Sequence, residues 1–295
     1  MPSGSIITNA GKRIIMNRAY NDDGATAYTA PSVFSIGIMN STPKLTDTGL
    51  ARPVPISGSE TVDDCEAITN WSSGTDSAIS LNTTTFKIGS GALNIYKTGS
   101  SGAVFSASKT VTSLDFTNKE LSVWVYIADT DYLVSTGTAI IIHYGSDSSN
   151  YYVFNIDATS LSDGWNLIVK SSADANSTEG TPTISACDYF AIFFNTELST
   201  DTVAEGSVVI DDIKLVGAGN YKKAYVTGYP SIDENNNEVE TQMFLSSVEA
   251  NGYDINSIGM FNTDSSPIMF AVDTFLGESK SNTDELVFVV KDRFI

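Results

Sequence analysis

Histidine and cysteine are nearly missing from this sequence. His143 is the one imidazole and Cys65 and Cys187 are the only thiols in 295 residues. A single imidazole excludes any site built on two, and two thiols are too few for a structural zinc site. In so long a chain they read as two buried, reduced cysteines rather than a disulfide. Basic residues are scarce as well: 16 Lys and Arg stand against 35 Asp and Glu, a net charge of −19. Such a field repels phosphate backbones and excludes nucleic acid as a partner. No stretch approaches the roughly 18 uninterrupted apolar residues of a membrane helix, so no membrane insertion is expected. The opening MPSGSIITNAGKRII lacks the apolar region and small-residue cleavage site of a signal peptide, which predicts folding in a cytoplasm. GxSxG, P-loop, HExxH and EF-hand spacings are all lacking. Asp/Glu pairs abound, but the separation that would mark a glycosidase pair is not readable from sequence. No catalytic residue is assigned, and the expectation is a protein that is not an enzyme.

What is present is a texture of short apolar runs between Gly, Ser, Asn and Asp turns, which predicts a mainly β protein. The C-terminal stretch Gln242 to Phe275 is the clearest. Met243 to Ser247 reads as a strand closed by Asn251-Gly252 as a tight hairpin. Tyr253 to Phe261 and Ile268 to Phe275 follow, with Gly259 as a bulge or close backbone approach, and Leu286 to Val290 adds a last strand. This meander needs a partner from upstream. Near the N-terminus, Ser5 to Tyr20 predicts one helix capped by Thr8 or Asn9, and Val33 to Met39 a strand.

The texture changes at Glu60. From there to Val216 the sequence predicts strands at Ala92–Tyr96, Leu121–Ala128, Ala139–Tyr144, Tyr151–Ile156, Trp165–Lys170, Tyr189–Asn195 and Ser207–Leu215, with no helix between them. That spacing predicts a two-sheet sandwich. In LSVWVYI, Val123, Val125 and Ile127 share one face, and Ser122, Trp124 and Tyr126 the other. Gly/Ser-rich segments bracket the region, and 58 residues with one helix and one strand would be marginal alone. The chain therefore divides into one small discontinuous β-rich domain with one N-terminal helix, residues 1–58 and 221–295, and residues 59–220 inserted as a β-sandwich.

Two resemblances bear on function. ITNAGKRIIMNRAY, VFSIGI and TPKLTDTGLARPV at the start, with LSSVEANGYDINSIGMFNTDSSPIMFAVDTF near the end, resemble bacteriophage tail, fibre and minor structural proteins. The match covers roughly the first 55 and last 65 residues. It implies a structural component of a tailed-phage virion (tail, baseplate, fibre or collar), assembled in the host cytoplasm with other virion proteins and copies of itself. A capsid decoration or head-fibre protein is the alternative within that biology. The insert, through Asp63-Asp64-Cys65-Glu66 before Trp71, FKIGSGAL, LSVWVYI and VVIDDIKL, resembles the jelly-roll carbohydrate-binding modules of polysaccharide-degrading enzymes. That resemblance implies host-surface glycans as ligand, and leaves open a polysaccharide-acting enzyme or its binding subunit.

It also implies a structural calcium. Calcium takes six to eight oxygens, and Asp64, Glu66, Asp211 and Asp212 have the chemistry to supply some of them. The plainer reading is that an acidic protein carries solvated carboxylates everywhere. Sugar binding needs exposed rings, and Trp124, Tyr126 and Tyr152 are the candidates, with Tyr144 and Phe193 also on insert strands. Set against this, a sandwich must fill its interior, and any one of these rings can be core. His143 reads as structural.

Overall fold

A computed structural model describes residues 6–8, 11, 30–38, 44–47, 49–50, 53–56, 58–217, 222–262 and 268–293. The chain divides into two compact units, Met1–Gly58 with Gly219–Ile295, and Ser59–Ala218. Strands in the first part of the chain are β1 (Ile6–Ile7) and β2 (Val33–Gly37). Those of the inserted unit are β3 (Glu60–Asp63), β4 (Trp71–Ser73), β5 (Ser77–Asn82), β6 (Ala92–Lys97), β7 (Val104–Leu114), β8 (Lys119–Ile127) and β9 (Thr138–Asp147). They continue with β10 (Asn150–Asp157), β11 (Gly164–Ser171), β12 (Ser177–Glu179), β13 (Cys187–Asn195) and β14 (Val208–Gly217). The last part holds β15 (Lys222–Ala224), β16 (Ser231–Asp233), β17 (Glu238–Leu245), β18 (Asp254–Phe261), β19 (Met269–Ser279) and β20 (Leu286–Arg293).

The insert is a jelly-roll sandwich of two antiparallel sheets. One runs β11-β8-β14-β6-β5, with β3 also on β14, and the other β12-β10-β9-β13-β7-β4. Period-two alternation in the sequence decides what each strand buries. Val123, Val125 and Ile127 of β8 and Ile210 of β14 meet Phe105, Ile140, Ile142, Phe190, Ile192 and Phe194 from the other sheet in one core. Phe105 stacks on Phe194, and Phe190 packs edge-on to Trp71, arrangements that aromatic quadrupoles favour. Cys65 and Cys187 are both free and buried. Burial, with Asp188 and Asp115 nearby, pushes the Cys187 thiol up to about 12.

The discontinuous unit has a sheet ordered β1-β19-β18-β2-β15 and another ordered β16-β17-β20. N-terminal β2 thus lies between two C-terminal strands, and β1 pairs Ile6 with Val272. The β1 strand occupies the start of the expected helix. The turn that follows is helical at Gly11, whose N–H donates to Thr8 Oγ1 at 3.0 Å, the expected cap. Residues 12–20 of that helix lie outside the described ones.

The expected hairpin at Asn251-Gly252 is not formed. β17 pairs with β16 and β20, while β18 pairs with β19 and β2, so this turn carries the chain between sheets. A tight turn of that type needs positive φ at both central residues. Here the left-handed residues are Ala250 and Gly252 instead. Glu249 holds the loop by accepting from Ser246 N–H at 2.8 Å and Ser246 Oγ at 2.9 Å, and Gly252 N–H donates to Lys280 O. Gly259 is a close approach rather than a bulge: it pairs regularly with Val272, and a Cβ there would lie 2.9 Å from the Phe261 ring.

Replacing residues 60–217 by a short Gly/Ser linker is expected to leave the remaining unit folded, because loop-closure entropy changes slowly with length. Cooperative melting and a β-type circular dichroism spectrum are the readouts. An unfolded shortened chain, with an insert that is also unstable alone, would refute independence of the two units.

Candidate functional site

The same alternation that fills the core turns a second set of side chains outward on the sheet containing β9, β10 and β13. On β9 they are Ile141, His143 and Gly145; on β10, Tyr151, Val153 and Asn155; on β13, Tyr189, Ala191 and Phe193. The register aligns Tyr151 with Gly145 and Tyr189, Val153 with His143 and Ala191, and Asn155 with Ile141 and Phe193. Gly145 and Ala191 are the small members of their rows, and they leave room for rings on either side. A Cβ at Gly145 would lie 2.4 Å from Tyr151 Cα, so the strand approach requires glycine.

Four half-buried rings form one track here. Tyr189 and Tyr151 have centroids 6.0 Å apart, Tyr151 stacks on His143 at 4.1 Å and 14°, and His143 tilts against Phe193 at 4.6 Å. Burial pulls the His143 imidazole down to about 4, so it is neutral at physiological pH and packs as an aromatic. Polar margins run along both sides. Ser106, Ser108 and Thr110 of β7 align with Phe193, Ala191 and Tyr189, and Ser177 and Glu179 of β12 align with Val153 and Tyr151. The track therefore joins apolar ring surface to hydroxyl and carboxylate hydrogen-bonding groups.

Of the rings singled out from sequence, Phe193 belongs to this track and the others lie elsewhere. Trp124 and Tyr126 do face away from the core, on the other sheet, opposite Asp211 and Val209. Trp124 is only 4% exposed, with Lys87 Nζ 4.5 Å above its ring and Trp165 edge-on at 6.4 Å. Tyr126 stays half-buried beside Trp165 at 5.5 Å, a neighbour the sequence reading did not bring to it. Tyr152 points to the core side, edge-on to Phe116 at 6.0 Å. Tyr144 is fully buried and also packs on Phe116. Trp124, Tyr126 and Tyr152 thus do not form one face.

The acidic residues gather around residues 87–90 without closing into a cage. Asp211 Oδ2 accepts from the Lys87 and Ile88 N–H groups at 2.6 and 2.9 Å, and Glu66 accepts from Ser90 N–H and Oγ. Asp212, left-handed at φ +49°, is held by Lys214 Nζ at 2.6 Å, and Asp64 Oδ1 accepts the Glu66 N–H. Among the described residues no three His, Cys, Asp or Glu side chains converge. One acceptor remains for a cation: Asp211 Oδ1 is buried without a hydrogen-bond partner. The fit to calcium is partial, with Asp211 and Glu66 the residues that would hold it. Calcium here is a proposal that melting decides. A bound ion would raise the melting temperature with the logarithm of free calcium, and Asp211→Asn would abolish the rise. Coincident curves in calcium and in EDTA would remove the ion.

No protein-family model matches the chain, and no curated protein matches it. Solved structures do. Over 55% of this chain and 96% of the other, it is similar to a family 11 carbohydrate-binding module from Clostridium thermocellum in complex with a β-1,3-1,4-mixed-linked tetrasaccharide, with 17% identity and a TM-score of 0.39. The C-terminal family 22 carbohydrate-binding module of Clostridium thermocellum Xyn10B gives 14% identity over 56% of this chain and 95% of that one, with a TM-score of 0.29. An exo-β-agarase gives 11% identity over 56% of this chain and 26% of that one, with a TM-score of 0.38.

Proposed function

We propose that the inserted unit binds neutral carbohydrate on the outer face of β9, β10 and β13. The observation that carries this reading is the track Tyr189–Tyr151–His143–Phe193 between hydroxyl-bearing margins. Pyranose rings present apolar C–H faces to aromatic rings and hydroxyls to polar neighbours, so a site for them joins both kinds of surface. No lysine or arginine belongs to the rows that make the track, which favours neutral over anionic sugars. The unit binds rather than cleaves in this reading. Affinity per copy is weak and becomes useful through multivalent display.

The terminal segments' resemblance to phage structural proteins supports placing the chain in a tailed-phage virion. The discontinuous unit then makes the assembly contacts with other virion proteins and copies of itself, and the insert serves adhesion to host glycans. Co-purification with virions tests this placement. Release of reducing sugar from a polysaccharide by the purified chain would instead favour a polysaccharide-acting protein.

For the site itself, the full chain is applied to an array of neutral glycans. Tyr151→Ala is expected to weaken binding at least tenfold, a loss of about 1.4 kcal/mol, with the β-type circular dichroism spectrum and cooperative melting retained. Binding that survives Tyr151→Ala and Phe193→Ala would move the site off this face. Binding to no neutral glycan would sink the reading.

A further inference from the structure

The sheet β16-β17-β20 has two unlike edges. One is β16, three residues long and polar at Ser231 and Asp233, the blunted kind of edge that resists further pairing. The other is β20, eight residues long, and among the described residues no strand pairs its outer side. Its register with β17 runs unbroken from Leu286 opposite Leu245 to Arg293 opposite Glu238, so no bulge twists it away. The stretch Leu286-Val287-Phe288-Val289-Val290 holds no charge and no proline. Val287 is 57% exposed and Val289 46%, and they share a face with Phe244 and Gln242 opposite them on β17. A strand of this kind is a template for another strand.

We propose that β20 pairs antiparallel with β20 of a second copy of this chain, joining two three-stranded sheets into one of six about a two-fold axis at Phe288. The occupant follows from the sequence of the strand itself. A two-fold axis normal to a sheet keeps each residue on its own face, so residues of equal parity must oppose each other. Centred on Phe288, the pairing sets Val287 against the other copy's Val289 and Leu286 against its Val290. Glu285 then faces the other copy's Lys291, twice by symmetry. Lys291 is 54% exposed side-on to Glu238 and Glu240 of its own sheet, and as an ammonium it has donor capacity for a third carboxylate. Centring on Val287 would set Glu285 against Val289, and centring on Val289 would set Val287 against Lys291. Of these three, the Phe288 register matches apolar with apolar along the strand and acid with base at Glu285, the residue just before β20. Against it stands a like-charge approach of Asp284 to the other copy's Asp292 at the turn. Matched cross-strand pairs are what stabilise a sheet. Isologous contacts of this form close on themselves and give dimers.

The test uses the full chain at micromolar concentration in sedimentation or light scattering. Wild type is expected to be dimeric. Val287→Lys is expected to dissociate at least tenfold more readily while each copy stays folded by circular dichroism, since Val287 is exposed in the single copy. Val287→Lys combined with Val289→Glu is expected to restore the dimer, because the new ammonium of one copy faces the new carboxylate of the other. A monomeric wild type overturns the proposal, as does Val287→Lys as dimeric as wild type. A double variant no more dimeric than the single one overturns the register and the proposal with it.

Discussion

Stability of the inserted unit is expected to fall as pH rises from about 4 to about 7, and Asp211→Asn is expected to reduce that fall, to which buried Asp212 adds in the same direction. Asp211 is fully buried, and burial raises its carboxyl to about 7. Asp212 adds to the rise, while the N–H groups of Ile88 and Lys87 on Oδ2 oppose it. In the unfolded chain the same group titrates near 4. Between these values the folded state holds a proton that the unfolded state has lost, so stability drops with rising pH. Below about 4 the contribution is complete, and above about 7 it is gone. Three pH units at about 1.4 kcal/mol each give roughly 4 kcal/mol, with EDTA present so that protons alone answer the carboxylate.

Other groups act in and near the same window. His143 titrates at about 4 in the fold against about 6.5 when unfolded, so it makes stability rise with pH over that range. It is only about half-buried, and solvent screening reduces its share to roughly 1–2 kcal/mol. Exposed carboxylates held down by hydrogen bonds, such as Asp147 with Asn150 and Asp157 with Thr159, lose their contribution only below about 4. Subtracting the Asp211→Asn stability from that of wild type cancels these terms. The difference is expected to turn against wild type by roughly 3–4 kcal/mol between pH 4 and pH 8. A constant offset would show that Asp211 keeps an ordinary carboxyl.

Alternation made the sandwich legible in the sequence, because apolar residues at every second position fix both strand and face. It left the site half legible. Tyr151 and Tyr152 are adjacent, so one must point inward, and alternation puts Tyr152 on the side of Phe154 and Ile156 and Tyr151 on the side of Asn155. Tyr152 takes the core because Phe116, more than thirty residues earlier, waits there. His143 looked structural, and its burial against Tyr151 is structural, yet that contact is also what lines up the ring track. Trp124 was correctly turned away from the core and still lost its exposure. Lys87 lies over its ring from the loop between β5 and β6, and a loop laid on a sheet leaves no periodic signal. The Asn251-Gly252 turn misled for a related reason. Its conformation is set by Glu249, Lys223 and Lys280, contacts that a local motif does not encode.

Lys97 was equally invisible, and its loss is expected to cost as much as that of a large core residue. It lies on β6 and is only 3% exposed, where a lysine is ordinarily expensive. Its ammonium donates to Gly99 O at 2.6 Å, Ser199 O at 2.5 Å and Asp201 O at 3.0 Å, so all three protons have acceptors. The Lys97 N–H also donates to Val203 O. One side chain therefore ties the turn after β6 to the loop after β13, alongside the burial of Val203 in the core and the two bonds from Thr196 to Ala103 O. Lys97→Met keeps the apolar stem and removes the charge. A purely hydrophobic account expects it to be neutral or stabilising. Three carbonyls stripped of a charged donor point the other way, by about 3–5 kcal/mol. The measurement is denaturant unfolding at pH 7, with limited proteolysis of residues 196–203 as the local readout. Faster cleavage there together with the stability loss places the effect at this knot. Lys97→Met with wild-type stability would mean that water already satisfies those carbonyls and the ammonium is dispensable.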